Sequence, residues 1–415
     1  MILQSLAVAA ALVAANPAHT YYVDGATGDD RGPGTSSAPF RTFDRAVAGL
    51  LPGDEVRIRG GVYHTPLNLT RSGAPNAPIR VVGEHRPHIV ASGDAISITG
   101  SYVSLRGFDA HSTDWGSAVA VGKHNHHVTI TDNILHDSGC GGVSAQYMDY
   151  LVVRHNTVFG NARRSPWQCS GISLYHPEAF DHAPGAHNVI EANISYDNQN
   201  AVVDEGISHS HGHTTDGNGI ILDDGDHSQA ESSVPPYEEL SLILGNVVFD
   251  NGGRGIHVFH TANVVVAHNV AFEDLKDPKL QGPASELSAA IARRVTFIDN
   301  IVVTRPGALP MMDGWDKAPT RWTHNLYQAT LGPRAEESPT RFDPTNFSGA
   351  PSFVRPSLTA GGDFHLRSDS AARHAGIGFH LGPNGNVILE PNHVAPLGLM
   401  ADEVPGAHID VHEER

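Results

Sequence analysis

Residues 128–158 read VTITDNILHDSGCGGVSAQYMDYLVVRHNTV. Two β-branched runs each end on an Asn, Asn133 and Asn156, and each Asn is followed by another apolar pair. Between them Gly142-Val143 opens a further short apolar run. The Asn pattern returns at Asn193, Asn246, Asn269 and Asn300, and more weakly at Asn325. Successive intervals are 23, 37, 53, 23, 31 and 25 residues. A fixed self-similarity of this length marks stacked repeats. The short intervals fit one coil of a parallel β-solenoid, and the long ones fit coils carrying inserted loops. The Gly landmark repeats as Gly171-Ile172, Gly219-Ile220 and Gly255-Ile256, with Ala290-Ile291 as a variant.

Each coil therefore reads as three strands, with the Asn in the turn between the last two. Asn side chains bond turn backbone and tolerate left-handed φ, so the Asn are expected to stack as an internal ladder. Strand alternation sends Val143, Ile172, Ile220 and Ile256 inward. The outward rows are then Ser144, Ser173, Ile221, His257 and Gln146, Tyr175, Asp223, Phe259. A turn row follows, Tyr147, His176, Asp224, His260. A helical period is present only around residues 43–51 and near Val8.

Composition agrees. The chain has 415 residues with 43 Gly, 27 Pro and a formal charge of −18, and only 17% of residues are charged. So low a charge density argues against disorder and against a coiled coil, which are charge-rich. The acidic balance excludes the basic face of a nucleic-acid binder. Residues 2–15, ILQSLAVAAALVAA, are apolar but too short to span a bilayer, and Asn16-Pro17 breaks them. They read as a secretory signal peptide ending near Ala18. The expectation is a secreted or periplasmic monomer with no membrane span: leader 1–18, solenoid 19–345, C-terminal cap 346–415.

At this point the chain resembles the right-handed parallel β-helix proteins, a group rich in pectate lyases and other polysaccharide-degrading enzymes. Residues 21–63 look like the group's N-terminal cap, with the short helix around 43–51 closing the first coil. Residues 362–376, GDFHLRSDSAARHAG, look like its C-terminal signature. Within the group the chain is similar to pectate lyases of family nine. The strand Asn218-Gly219-Ile220 and the next coil's Gly253-Arg254-Gly255-Ile256-His257 occupy that family's motif, with Asn, Gly, Arg and His where the family has acids. Its calcium site and catalytic Lys are accordingly not carried over. The resemblance implies a binding groove on the outer face of the first sheet. It also places Cys140 and Cys169 at the same position of consecutive coils, each three residues before an inward residue. Coil spacing of ~4.8 Å falls within the reach of a disulfide.

Residues 209–227, HSHGHTTDGNGIILDDGDH, are the densest chemical segment and belong to the most expanded coil. Asp216, Asp223, Asp224 and Asp226 are expected to hold Ca²⁺ through oxygen ligands. Zn²⁺ is less favoured, because no Cys or regular His spacing accompanies them. Three functions stay open. A lyase on an acidic polysaccharide would remove a proton by β-elimination, with Arg254 neutralising the uronate, His257 or His260 as base and Tyr175 as proton donor. Gln146, His176, Arg163 and Arg164 would bind the substrate. A glycoside hydrolase would need two carboxylates, drawn from Asp204, Glu205, Asp216, Asp223 and Asp224. The third reading is a glycan-binding β-helix without activity. Trp315, Trp322 and Tyr327 read as core or, less often, as a sugar platform.

Overall fold

The computed structural model describes residues 16–398 apart from 123, 204–210, 230–232, 282–283, 315–319, 330–342, 383–385 and 396. Most of the expected leader therefore lies outside the described residues. The chain winds into a parallel β-helix of three sheets with eleven, nine and eleven strands, each strand pairing with its counterpart one coil away. No helix among the described residues is long and apolar enough to cross a membrane.

The register follows the expected rows. Ile96, Val119, Val143, Ile172, Ile220, Ile256, Leu287 and Met311 stack in one inward file of the nine-stranded sheet. All are fully buried. One α-helix, Phe43–Ala48, closes the N-terminal end. Thr42 caps it by accepting from the Arg45 amide, and Phe43, Ala46 and Val47 face the core. The helix is shorter than the periodicity suggested.

The Asn ladder is present. Asn133, Asn156, Asn193, Asn246, Asn269, Asn300 and Asn325 are buried and bond in file, and Asn346 extends it. Each Asn takes its neighbour's backbone N–H and side-chain N–H on one oxygen, so no buried amide in the file lacks a partner. The left-handed residue, however, is the one before the Asn. Asp132, His155, Ala192, Gly245, His268, Asp299 and His324 all have φ between 52° and 59°. The coil's corner needs one residue at positive φ, and placing it there lets the Asn side chain point inward.

A second ladder, not expected from the sequence, runs five residues further on. Asn161 donates to Asn198, Asn198 to Asn251, and Asn251 to Asp274. Glu286 accepts the Asp274 amide at its end. Cys140 and Cys169 form the expected disulfide, with Cα atoms 5.2 Å apart.

Beyond the last solenoid strand, Phe347–Ser348, two antiparallel hairpins fold back along the flanks of the solenoid. Phe353, Phe364 and Leu366 cover the outer aromatics Phe249 and Phe272. Phe379 packs with Leu240, Leu242 and Val265. Strands such as Leu240–Leu244 are therefore buried on both faces, which explains their weak alternation.

Candidate active site

The outer face of the nine-stranded sheet carries an open cleft of about 780 Å³. Its floor comes from successive strands. Ser144 and Gln146 pair with Ser173 and Tyr175, which pair with Ile221 and Asp223. Loops make the walls. Trp115 stands on one inserted loop and Trp167 on another, and each is 65% exposed. Such open indole faces suit stacking on sugar rings. Thr215, Asp216 and Gln229 close one side. No Lys, Arg or His lines the cleft among the described residues.

Three carboxyls line the cleft, Asp94, Asp216 at its side and Asp223 on its floor, and the last two interact. Asp216 accepts from the Asn218 amide at 2.8 Å. Burial lifts its pKa to about 6, against the pull of the nearby Arg254 guanidinium. Asp223 accepts from Gln229 Nε2. Burial raises its pKa well above the usual carboxylate range, and the charge of Asp216 adds to the rise. Both carboxyls are raised by burial, and a charge on Asp216 further favours the protonated form of Asp223. Neighbouring carboxyls of raised pKa, one acting on the other, suit acid–base work.

The remaining expected residues are distributed differently. Tyr175 and Gln146 line the cleft. Burial, followed by the fields of Asp224 and Asp223, holds the Tyr175 phenol protonated. Arg254 is buried outside the cleft lining, donates to the carbonyl of the lining residue Thr215 at 3.1 Å, and acts on Asp216 through its field. His257 occupies an outward register position yet is buried, and its Nδ1 has no hydrogen-bond partner among the described residues. Burial and then Arg254 push its pKa far down. His260 bonds Ser228 at 2.6 Å and Asp226 at 3.3 Å, away from the cleft lining. The expected base residues thus do not line the cleft.

His176 is a correction among the substrate residues. The turn row is left-handed, at φ 52°, 51°, 53° and 47° for Tyr147, His176, Asp224 and His260. His176 is buried there, where it bonds Asp224 at 2.7 Å and stacks on His227 at 3.9 Å. Arg163 pairs with Asp197, and Arg164 donates to the carbonyls of Ser112, Asp114 and Asp137, so both brace loops.

The calcium set also separates. Asp224 faces His176, and Asp226 faces Ser228 and His260. No three of the four acids bring ligand oxygens within 4.8 Å of one another. The donor arrangement does not fit the expected Ca²⁺ cage of six to eight oxygens.

Asp204 and Glu205, with His209 of the same segment, lie outside the described residues, as does Trp315. Trp322 and Tyr327 are core, with Trp322 stacked on Phe297 at 3.9 Å. Trp115 and Gln229 went unnoticed in the sequence because they sit in loops that carry no repeat.

Residues 21–277 match the Pel9A-like, right-handed β-helix region. The chain belongs to that family. Pectate lyase Pel9A itself superposes with a TM-score of 0.52 at 16% identity, covering 87% of this chain and 92% of that one. At that identity the likeness is one of fold. A GH136 lacto-N-biosidase from Eubacterium ramulus gives a TM-score of 0.41 at 16% identity over 75% of this chain and 56% of that one. A 70-residue stretch is 34% identical to the uncharacterized protein YwoF of Bacillus subtilis (strain 168), covering 17% of this chain and 15% of that protein.

Proposed function

We propose that the protein is a carbohydrate-active enzyme that hydrolyses a glycosidic bond in the cleft, with Asp223 as general acid and Asp216 as the charged partner. Two raised carboxyls lining one cleft, with the charge of Asp216 favouring the protonated form of Asp223, carry the reading. Gln229 occupies Asp223 Oδ1, leaving the other oxygen to deliver its proton to the glycosidic oxygen as the C1–O bond breaks. Asp216 either takes a proton from the water that adds to C1 or attacks C1 itself to form a glycosyl ester, which water then cleaves as the ionised Asp223 takes that water's proton. Trp115, Trp167 and the Tyr175 ring support the sugars.

The substrate at the cleavage point is an uncharged stretch of polysaccharide, since acids and no cations line the cleft among the described residues. This departs from the acidic glycan expected above, which would need a local positive charge. Export to an oxidising compartment belongs to the same proposal. The disulfide supports it.

β-Elimination is the second reading, favoured by family membership and by Tyr175, the one expected lyase residue on the cleft. A panel of neutral and acidic polysaccharides separates the two. Hydrolysis yields reducing ends with no ultraviolet absorbance of an unsaturated sugar. Asp223→Asn and Asp216→Asn should each lower kcat by about 10²–10⁴-fold with the circular dichroism unchanged. Unsaturated product on a polyuronate, or full activity in both variants, would overturn the hydrolase reading.

A further inference from the structure

On a different sheet from the cleft, three imidazoles meet on the outer face of three successive coils. His88 belongs to the strand His88–Ala91, His111 to Asp109–Ser112 and His136 to Ile134–His136. The register sets Asp109 opposite both His88 and Ile134. His136 therefore continues the file of His111, while His88 is offset two residues along its coil. The offset makes a triangle of rings rather than a simple stack. Ring centroids lie 5.0, 5.2 and 5.8 Å apart. One nitrogen from each ring falls within 4.8 Å of the other two, and among the described residues no other His, Cys, Asp or Glu group does this.

We propose that His88, His111 and His136 form a binding site for a divalent transition-metal ion of the Zn²⁺ type, which clamps three consecutive coils. The spacing is right for shared coordination. Zn–N bonds of about 2.0–2.1 Å in a tetrahedron put donor atoms about 3.3 Å apart. His88 Nε2 and His111 Nδ1 are 3.0 Å apart. A single proton held between these two nitrogens is what the ion would replace.

His136 is already oriented for the task. Its Nδ1 donates to the Asp137 carboxylate at 2.9 Å and its Nε2 to Asp109 Oδ1 at 2.8 Å; a bound ion would take the place of the Nε2 proton, with Asp137 still holding Nδ1 in the carboxylate–histidine–metal arrangement. Phe159 stacks on the ring at 5.1 Å and 9° and fixes its plane. Asp109 Oδ1 lies 2.8 Å from His136 Nε2 and 3.6 Å from His88 Nε2, so a second carboxylate balances the ion's charge. All three rings are partly exposed, open enough to admit an ion. Imidazole donors select Zn²⁺, Co²⁺, Ni²⁺ or Cu²⁺ over Ca²⁺ and Mg²⁺.

The test uses the untagged full chain, stripped with a chelator and titrated with Co²⁺ and then Zn²⁺. The site should take one equivalent. Co²⁺ should develop tetrahedral-type d–d bands, and Zn²⁺ should displace it and raise the Tm. His111→Ala and His136→Ala should each weaken binding at least about tenfold, and Asp137→Asn about 10–100-fold. His124→Ala, an exposed ring outside the cluster, should bind as the parent does. Footprinting the unmutated chain with an imidazole-acylating reagent removes any dependence on variant folding, and Zn²⁺ should protect His88, His111 and His136 together. No stoichiometric uptake, binding that persists in His111→Ala and His136→Ala, or protection at other histidines would overturn the proposal.

Discussion

At the residue scale, burial sets the chemistry of the carboxyls. Asp216 and Asp223 stand seven positions apart in the sequence and look alike there; only the cleft distinguishes them. A base of pKa about 6 predicts that kcat/KM rises through pH 6 as Asp216 ionises. Arg254→Gln removes the charge that holds Asp216 down, so the acid limb of the profile should move to higher pH. An unchanged limb would separate Arg254 from the site. Asp299 tests the same physics in the scaffold. Burial raises its carboxyl to about 8, opposed by the Ile377 amide. The folded state then binds more protons than the unfolded state between pH 4 and 8. This contribution to stability is full below pH 4 and disappears as pH rises through 8. Denaturant midpoints should fall from pH 5 to pH 8, and Asp299→Asn should flatten that fall.

At the scale of the element, the Asn files hold the coil corners. Asn246 donates to Asn269 Oδ1 and to the Ile190 carbonyl, and accepts from Asn193. Asn246→Ala leaves several buried backbone groups without partners, which predicts a loss of about 2–4 kcal/mol, measurable by chemical denaturation. The first file was legible because each Asn closes a β-branched run. The second was also present in the sequence, as Asn156-x4-Asn161, Asn193-x4-Asn198, Asn246-x4-Asn251 and Asn269-x4-Asp274. It was hidden because its members lie in loops of variable length, and its last member is an acid. Asp274 and Glu286 end that file as a buried pair, and burial raises the pKa of both.

At the scale of the whole molecule, loops from separate coils meet to make the cleft. Trp115→Ala and Trp167→Ala should raise KM several-fold and move kcat little, because each ring touches sugar away from the broken bond. The disulfide joins two coils over a separation of 29 residues and lines the same cleft. Its removal should cost about 3–4 kcal/mol of stability on the loop-closure model and loosen the Trp167 loop, seen as a lower Tm and a higher KM. The sequence by itself determined the coil, its register, its inward file and the disulfide, because stacking at one spacing turns a linear repeat directly into neighbours. It also named Asp216, Asp223, Tyr175 and Gln146 as residues of interest. Only the tertiary structure decided which titratable groups share the cleft. His176 is buried against Asp224 and His227, Arg254 lies against the Thr215 backbone, His257 is buried, and the C-terminal hairpins bury the outer aromatics. Those outcomes depend on long-range contacts and on desolvation, and neither is written in the local spacing of residues.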